Sequence, residues 1–189
     1  DGARAVRNRE TAIGDLCADA YRNIAGADLA IVNGGGIRAD LPKGDITYKN
    51  IIDVHPFGNE LRVAEVTGAK LLDALEMSCR STVAAVSEKG EDGKMNALGE
   101  NGGFLQVSGL KYTIDLSVPS SVVVDENKAF VKVEGARRVK DVQVLNSKTG
   151  KYEPIKADQT YKVASHNYMF ESGDGYTMLS DCKILPTLV

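Results

Sequence analysis

Between positions 9 and 25, apolar residues recur at three- and four-residue steps: Ile13, Leu16, Cys17, Ala20 and Ile24. This spacing predicts an amphipathic helix over 9–25 with these side chains turned inward, and Gly26 follows as its stop. The unbroken apolar run Leu29-Ala30-Ile31-Val32 predicts a buried strand that leads straight into Asn33-Gly34-Gly35-Gly36-Ile37-Arg38. Pro42 and Gly44 punctuate a loop over 39–46, after which Thr47 is placed to cap a short helix through Ile52. Pro56-Phe57-Gly58-Asn59 reads as a turn and Leu61 to Val66 as a strand. Thr67 then caps a helix from Gly68 to about Cys79, with Leu71, Leu72, Leu75 and Cys79 facing inward.

From Phe104 onward the pattern turns strand-like, over 104–116, 121–125, 129–134, 139–145 and 160–165. Asn146-Ser147-Lys148-Thr149-Gly150 reads as a hairpin connection, and Glu171 to Tyr176 as a last Gly-punctuated turn. Helices gather in the first half and strands in the second, which predicts an α+β fold over a regular βαβ alternation.

The chain has 189 residues, enough for a single domain over 1–189 with a core able to fold alone. Residues 1–8 read as a flexible arm, and the polar, Gly-rich stretch 86–101 as a mobile loop within the domain. A net charge of −3 offers no broad basic face for a nucleic-acid backbone, so an anion has to be held by a local cluster of donors. No apolar run approaches the roughly 18 residues of a membrane span. Asp1 opens the chain without a start methionine or a hydrophobic leader, which reads as a mature or trimmed polypeptide. Cys17, Cys79 and Cys182 are odd in number and far apart, and form no metal framework; Cys17 reads as a small buried thiol. His55 and His166 are the only histidines, with no HxH, HExxH or Gly-x-Ser-x-Gly pattern around them, and His166 reads as a satisfied structural residue. The chain carries no full catalytic set.

The candidate chemistry lies in turns. Glycines after a strand, free to take positive φ, let backbone N–H groups approach a ligand, and Arg38 adds a planar fork for a phosphate or carboxylate. The alternative is a bare structural turn. Arg9 stands at the predicted helix start, where a cation is disfavoured unless it shares a bound anion; otherwise it belongs to the solvated arm. Phe57 and Tyr168, in or beside Gly-rich turns, offer flat faces to a base or else plug the core. Asp174 between two glycines accepts from a ribose diol or makes an Asx turn, and Asn59 meets a base edge or shapes its own turn.

In order along the chain, six stretches resemble the C-terminal domain of the 5'-nucleotidase / UDP-sugar hydrolase family. They are Arg9 to Leu16, Asn33 to Arg38, Gly44 to Thr47, Pro56 to Asn59, Gly102 to Gly109, and Asn167-Tyr168 through Gly173-Asp174-Gly175-Tyr176. The resemblance implies mixed sheets layered with helices. It implies a nucleotide-specificity pocket without a metal site or cofactor of its own, hinged to an N-terminal metallophosphoesterase domain that holds two divalent metal ions and performs the hydrolysis. Phe57 and Tyr168 would sandwich the base, Asn33 and Asn59 would contact it, and Asp174 would hold the ribose. Arg9 and Arg38 would reach the phosphate side, with Gly36 in the loop and Gly102 lining the pocket by its backbone. The second aromatic is usually Phe in the family and here is Tyr168, chosen over Phe170 because it lies six residues before Asp174; the family's Gly-Gly-Asp-Gly reads Ser172-Gly173-Asp174-Gly175. The expected parent is an extracellular, cell-surface or periplasmic 5'-nucleotidase. A 2',3'-cyclic-nucleotide phosphodiesterase or UDP-sugar hydrolase, or a non-catalytic nucleoside-binding or adhesion domain, are the alternatives.

Overall fold

The computed structural model describes residues 4–84 and 99–186, together with the backbone of two short strands at 87–89 and 95–97. A 3-10 turn, Ala5–Arg7, opens the described chain. The helices are α1 (Ala12–Ala25), α2 (Tyr48–Val54), α3 (Gly68–Ser78) and the single turn α4 (Asn167–Phe170). The strands are β1 (Leu29–Asn33), β2 (Leu61–Thr67), β3 (Ser87–Lys89), β4 (Met95–Ala97), β5 (Leu105–Ser108), β6 (Leu110–Ile114), β7 (Val122–Val124), β8 (Phe130–Val133), β9 (Val139–Asn146), β10 (Lys151–Pro154), β11 (Thr160–His166) and β12 (Lys183–Leu185).

Helix starts follow their caps. Thr11 accepts from the Gly14 amide, Thr67 accepts from the Lys70 amide, and Thr47 and Asn50 form a reciprocal capping box ahead of α2. Gly26, at φ +57°, closes α1.

Among the described residues the main sheet has the order β12-β2-β11-β1-β5. β1 and β11 run parallel, whereas β5 and β2 run antiparallel to them, so the sheet is mixed and the class is α+β. β10-β9-β6 form a second sheet, and β7 pairs with β8. β1 is buried along its whole length because both its faces are covered. Leu29 and Ile31 enter a large core shared with α3 and the second sheet, while Val32 faces a smaller one with Val6, Cys17, Ala18, Ile37 and Val54. Burial pushes the Cys17 and Cys79 thiols up to about 11 and about 12, so both stay protonated at neutral pH.

Several expectations change. The helix expected over 9–25 begins at Ala12, and its buried face is Gly14, Cys17 and Ala18, whereas Leu16 and Ile24 are exposed. Close approach explains the rotation: a Cβ on Gly14 would sit 1.9 Å from Gln106 Oε1 on β5, so the smallest side chains face the sheet. The strand expected over 104–116 is broken at Gly109, at φ +74°, into β5 and β6. Of the arm expected at 1–8, residues 5–8 are held in place. Val6 and Asn8 are buried, the Arg7 carbonyl accepts from the Asn101 amide at 3.0 Å, and Gln106 Nε2 donates to the Val6 carbonyl at 3.0 Å. Of the loop expected at 86–101, β3 and β4 pair as antiparallel strands, residues 99–101 run into β5, and positions 86, 90–94 and 98 lie outside the described residues. β10, β12 and α4 were not expected from the pattern.

Candidate functional site

Sheet polarity gathers the site. β1 and β11 are parallel, so Asn33 and His166 emerge at the same sheet edge. Asn33 pairs with Leu105 and His166 with Leu61, which brings the starts of antiparallel β5 and β2 to that edge too. The segments flanking these four strand ends carry the candidate residues: Gly34–Gly36 after β1, Gly102 before β5, Phe57 and Asn59 before β2, and Tyr168 and Asp174 after β11. They enclose a cavity of about 550 Å³ lined by Arg7, Asn33, Gly35, Gly36, Phe57, Asn59, Gly102, Tyr168 and Asp174.

Seven of the nine residues expected at a binding site therefore meet: Asn33, Gly36, Phe57, Asn59, Gly102, Tyr168 and Asp174. Arg38 stands at the rim. Its Cζ lies 5.8 Å from the Phe57 ring centroid and its Nη1 donates to the Gly35 carbonyl at 3.3 Å, but it lines a neighbouring groove with Arg4, Ile13 and Leu41. Arg9 does not reach the cavity; it is exposed and lines a different hollow with Glu10 and Lys111. The cause is the late start of α1. The backbone between Ala5 and Thr11 is a 3-10 turn followed by a non-helical Asn8 (φ −148°, ψ −4°), which turns Arg7 towards Asn33 and Arg9 away.

Arg7 is the residue that sequence reasoning passed over. Its Nε is buried without a hydrogen-bond partner among the described residues. Burial, then the neighbouring Arg4 and Arg38 guanidinium groups, lower its pKa, with Glu100 and Asp174 opposing. The signal was the cluster Arg4, Arg7, Arg9 itself, whose member on the cavity side only the backbone turn decides.

The Gly-rich loop is a 3-10 turn with no positive φ at Gly34, Gly35 or Gly36, contrary to the expectation of left-handed glycines. Crowding is the reason for glycine: a Cβ on Gly34 would stand 1.9 Å from the Val6 carbonyl oxygen. The loop therefore packs the Arg7 turn against β1.

The polar groups are tightly linked. Asn33 Nδ2 donates to Asp174 Oδ2 at 2.6 Å, and Asn33 Oδ1 lies 3.0 Å from His166 Nε2. The Tyr168 hydroxyl donates to Asp174 Oδ1 at 3.1 Å and accepts from the Asp174 amide at 3.0 Å. Burial, then the nearby His55, lower His166 to about 4, so its ring is neutral at physiological pH. His166 is only half satisfied, because its buried Nδ1 lacks a partner among the described residues. Phe57 and Tyr168 are 60% and 40% exposed and both line the cavity. Among the described residues no group of three or more His, Cys, Asp or Glu is arranged to hold a metal, and no helix is long and apolar enough to cross a membrane. The chemistry on offer is stacking, amide and guanidinium donors, and one acceptor-only carboxylate.

Residues 1–181 match the family described as "5'-nucleotidase, C-terminal domain". The chain is 37% identical over 188 residues to the trifunctional nucleotide phosphoesterase protein YfkN of Bacillus subtilis (strain 168), covering 97% of this chain and 11% of that protein. It is 30% identical over 196 residues to the cell wall protein Lmo0130 of Listeria monocytogenes serovar 1/2a, covering 98% of this chain and 20% of that one. A crystal structure of a 5'-nucleotidase precursor from Thermus thermophilus superposes with a TM-score of 0.74 at 35% identity, covering 99% of this chain and 32% of that chain. The chain thus spans less than a third of the length of these curated relatives. With the match extending over nearly all its residues, this chain belongs to the family of 5'-nucleotidase C-terminal domains.

Proposed function

We propose that this domain is the nucleotide-specificity half of a two-domain, metal-dependent phosphohydrolase of the 5'-nucleotidase type. The base stacks between Phe57 and Tyr168, Asn33 and Asn59 meet its edge, Asp174 takes the ribose diol, and Gly36 and Gly102 line the pocket by their backbone. Arg7 and Arg38 direct the phosphate; Arg7 takes the role that the sequence pattern assigns to Arg9. Phosphoester cleavage belongs to a metallophosphoesterase domain of the same polypeptide, which supplies two divalent metal ions. The domain contributes orientation and charge complementarity. The observation that carries this reading is the convergence of two half-exposed aromatics, a carboxylate and the Arg7 guanidinium on one cavity.

The greater length of the relatives supports a partner domain, and the name of the Listeria relative supports a location at or beyond the cell surface. The Bacillus relative's description as trifunctional favours a second reading, in which the parent accepts other nucleotide phosphoesters, cyclic nucleotides among them. Adenosine titration followed by NMR tests the pocket. Phe57→Ala or Tyr168→Ala is expected to weaken binding about fivefold or more, from the ~1–3 kcal/mol of base stacking; unchanged affinity in both sinks the clamp. Hydrolysis of AMP by the full-length parent with Mn²⁺ or Zn²⁺ tests the enzymatic assignment, and absence of turnover favours a purely binding or adhesive role.

A further inference from the structure

The turn that carries Asp174 is held in an unusual backbone. Ser172 (φ +67°, ψ 19°) and Asp174 (φ +51°, ψ 20°) both lie in the left-handed region, although neither is glycine. A Cβ there crowds the following carbonyl, so the turn needs outside support. Tyr168 supplies it twice. Gly173 lies against the Tyr168 ring so closely that a Cβ would stand 2.4 Å from its Cδ1 and Cε1. At the end of the ring, the hydroxyl grips Asp174 by its amide (3.0 Å) and by Oδ1 (3.1 Å).

The other carboxylate oxygen is fixed from the sheet. Asn33 Nδ2 donates to Oδ2, so its Oδ1 faces His166 Nε2, which must then carry the proton. Nε2 carries a proton in the neutral Nε2–H tautomer and in the cation alike, so the donor persists in either state. An ionised carboxylate has about two acceptor sites on each oxygen. One on each is taken internally, and one on each remains. One free acceptor site on each oxygen matches in number the two O–H donors of a vicinal cis-diol.

We propose that the Tyr168 hydroxyl is a specificity-determining group: it holds Asp174 in the single orientation that accepts a ribose 2',3'-diol and so discriminates ribonucleosides from 2'-deoxyribonucleosides. The inference rests on the nucleotide reading above and assigns Tyr168 two separable parts, a ring that stacks and a hydroxyl that clamps. Tyr168→Phe removes only the second.

The test measures binding of adenosine and 2'-deoxyadenosine to the native chain, Tyr168→Phe and Phe57→Ala, with hydrogen exchange at the Asp174 amide recorded without ligand. The native chain is expected to prefer adenosine at least tenfold. Tyr168→Phe is expected to lower adenosine affinity several-fold more than 2'-deoxyadenosine affinity, narrowing the native preference, and to speed Asp174 amide exchange. Phe57→Ala weakens both nucleosides alike. An unchanged adenosine-to-deoxyadenosine ratio in Tyr168→Phe overturns the proposal and leaves the nucleotide reading intact. If the native chain binds neither nucleoside, the nucleotide reading fails and the proposal fails with it, and the exchange rate reports separately whether the hydroxyl clamps the turn.

Discussion

A single methyl group placed at Gly34 would separate the two halves of the cavity wall. Its Cβ would lie 1.9 Å from the Val6 carbonyl oxygen, which is backbone and cannot rotate aside. Gly34→Ala is therefore expected to push the Ala5–Arg7 turn off β1, costing about 1–3 kcal/mol in urea unfolding and weakening nucleotide more than nucleoside binding, because Arg7 moves with the turn. Equal loss for both ligands would mean that Arg7 has no part in holding phosphate. Residue chemistry was the most legible layer of the sequence. Phe57, Asn59, Tyr168 and Asp174 lie in or beside turns where a packing or turn role was the alternative for each; the family resemblance singled them out together with Asn33, and the fold does bring all five together. The choice between Arg7 and Arg9 was hidden, since two residues along an irregular backbone point opposite ways and no periodicity applies there.

At the scale of elements, α1 inverts the usual link between hydrophobicity and burial. Leu16 is 52% exposed while Gly14 and Ala18 pack against the sheet. Gly14→Ala is thus expected to destabilise the chain by about 2 kcal/mol through steric displacement of Gln106, whereas Leu16→Ser stays within about 0.5 kcal/mol; chemical denaturation of both variants decides the order. Period alone gave the helix and placed Cys17 and the half-buried Ile13 correctly but not Leu16, Ala20 and Ile24, because tight helix–sheet contact selects for small side chains and the pattern counts only apolar ones. α3 was read correctly, with Leu71, Leu75 and Cys79 inward. What its pattern does not reveal is Glu76 beside them, fully buried and accepting from the amides of Arg138 (2.8 Å) and Val139 (3.1 Å). It ties the helix to the start of β9. Glu76→Leu leaves both amides unpaired and is expected to cost about 2–4 kcal/mol, from ~1–3 kcal/mol per buried unsatisfied group; a loss below 0.5 kcal/mol in urea melts would rule the tie out.

For the molecule as a whole, buried His166 makes stability depend on acidity. Its pKa falls from the ordinary 6.5 to about 4 on folding, first through burial and then through His55, with Asp174 opposing. Below pH 6.5 the unfolded chain binds a proton that the folded chain refuses until about pH 4, so this stability is complete above 6.5 and is lost as pH falls towards 4. The expected loss is on the order of 3 kcal/mol, and burial of His55 acts in the same direction. Urea melts at pH 7 and pH 4 should show it, and His166→Gln should flatten the slope while retaining a donor for Asn33; an unaltered slope assigns the acid sensitivity to other groups. Topology was the least legible layer, because local patterns do not say which strands lie side by side. The parallel pairing of β1 with β11 places Asn33 against Asp174 across 141 positions of chain. Such a contact forms only after a large loop has closed, so it belongs to the slow, late part of folding. During synthesis the consequence is vectorial: every residue up to Ser165 leaves the ribosome before Tyr168 and Asp174 can close the cavity. A product cut short before that point keeps Phe57 and Asn33 but lacks the second aromatic and the carboxylate of the cavity.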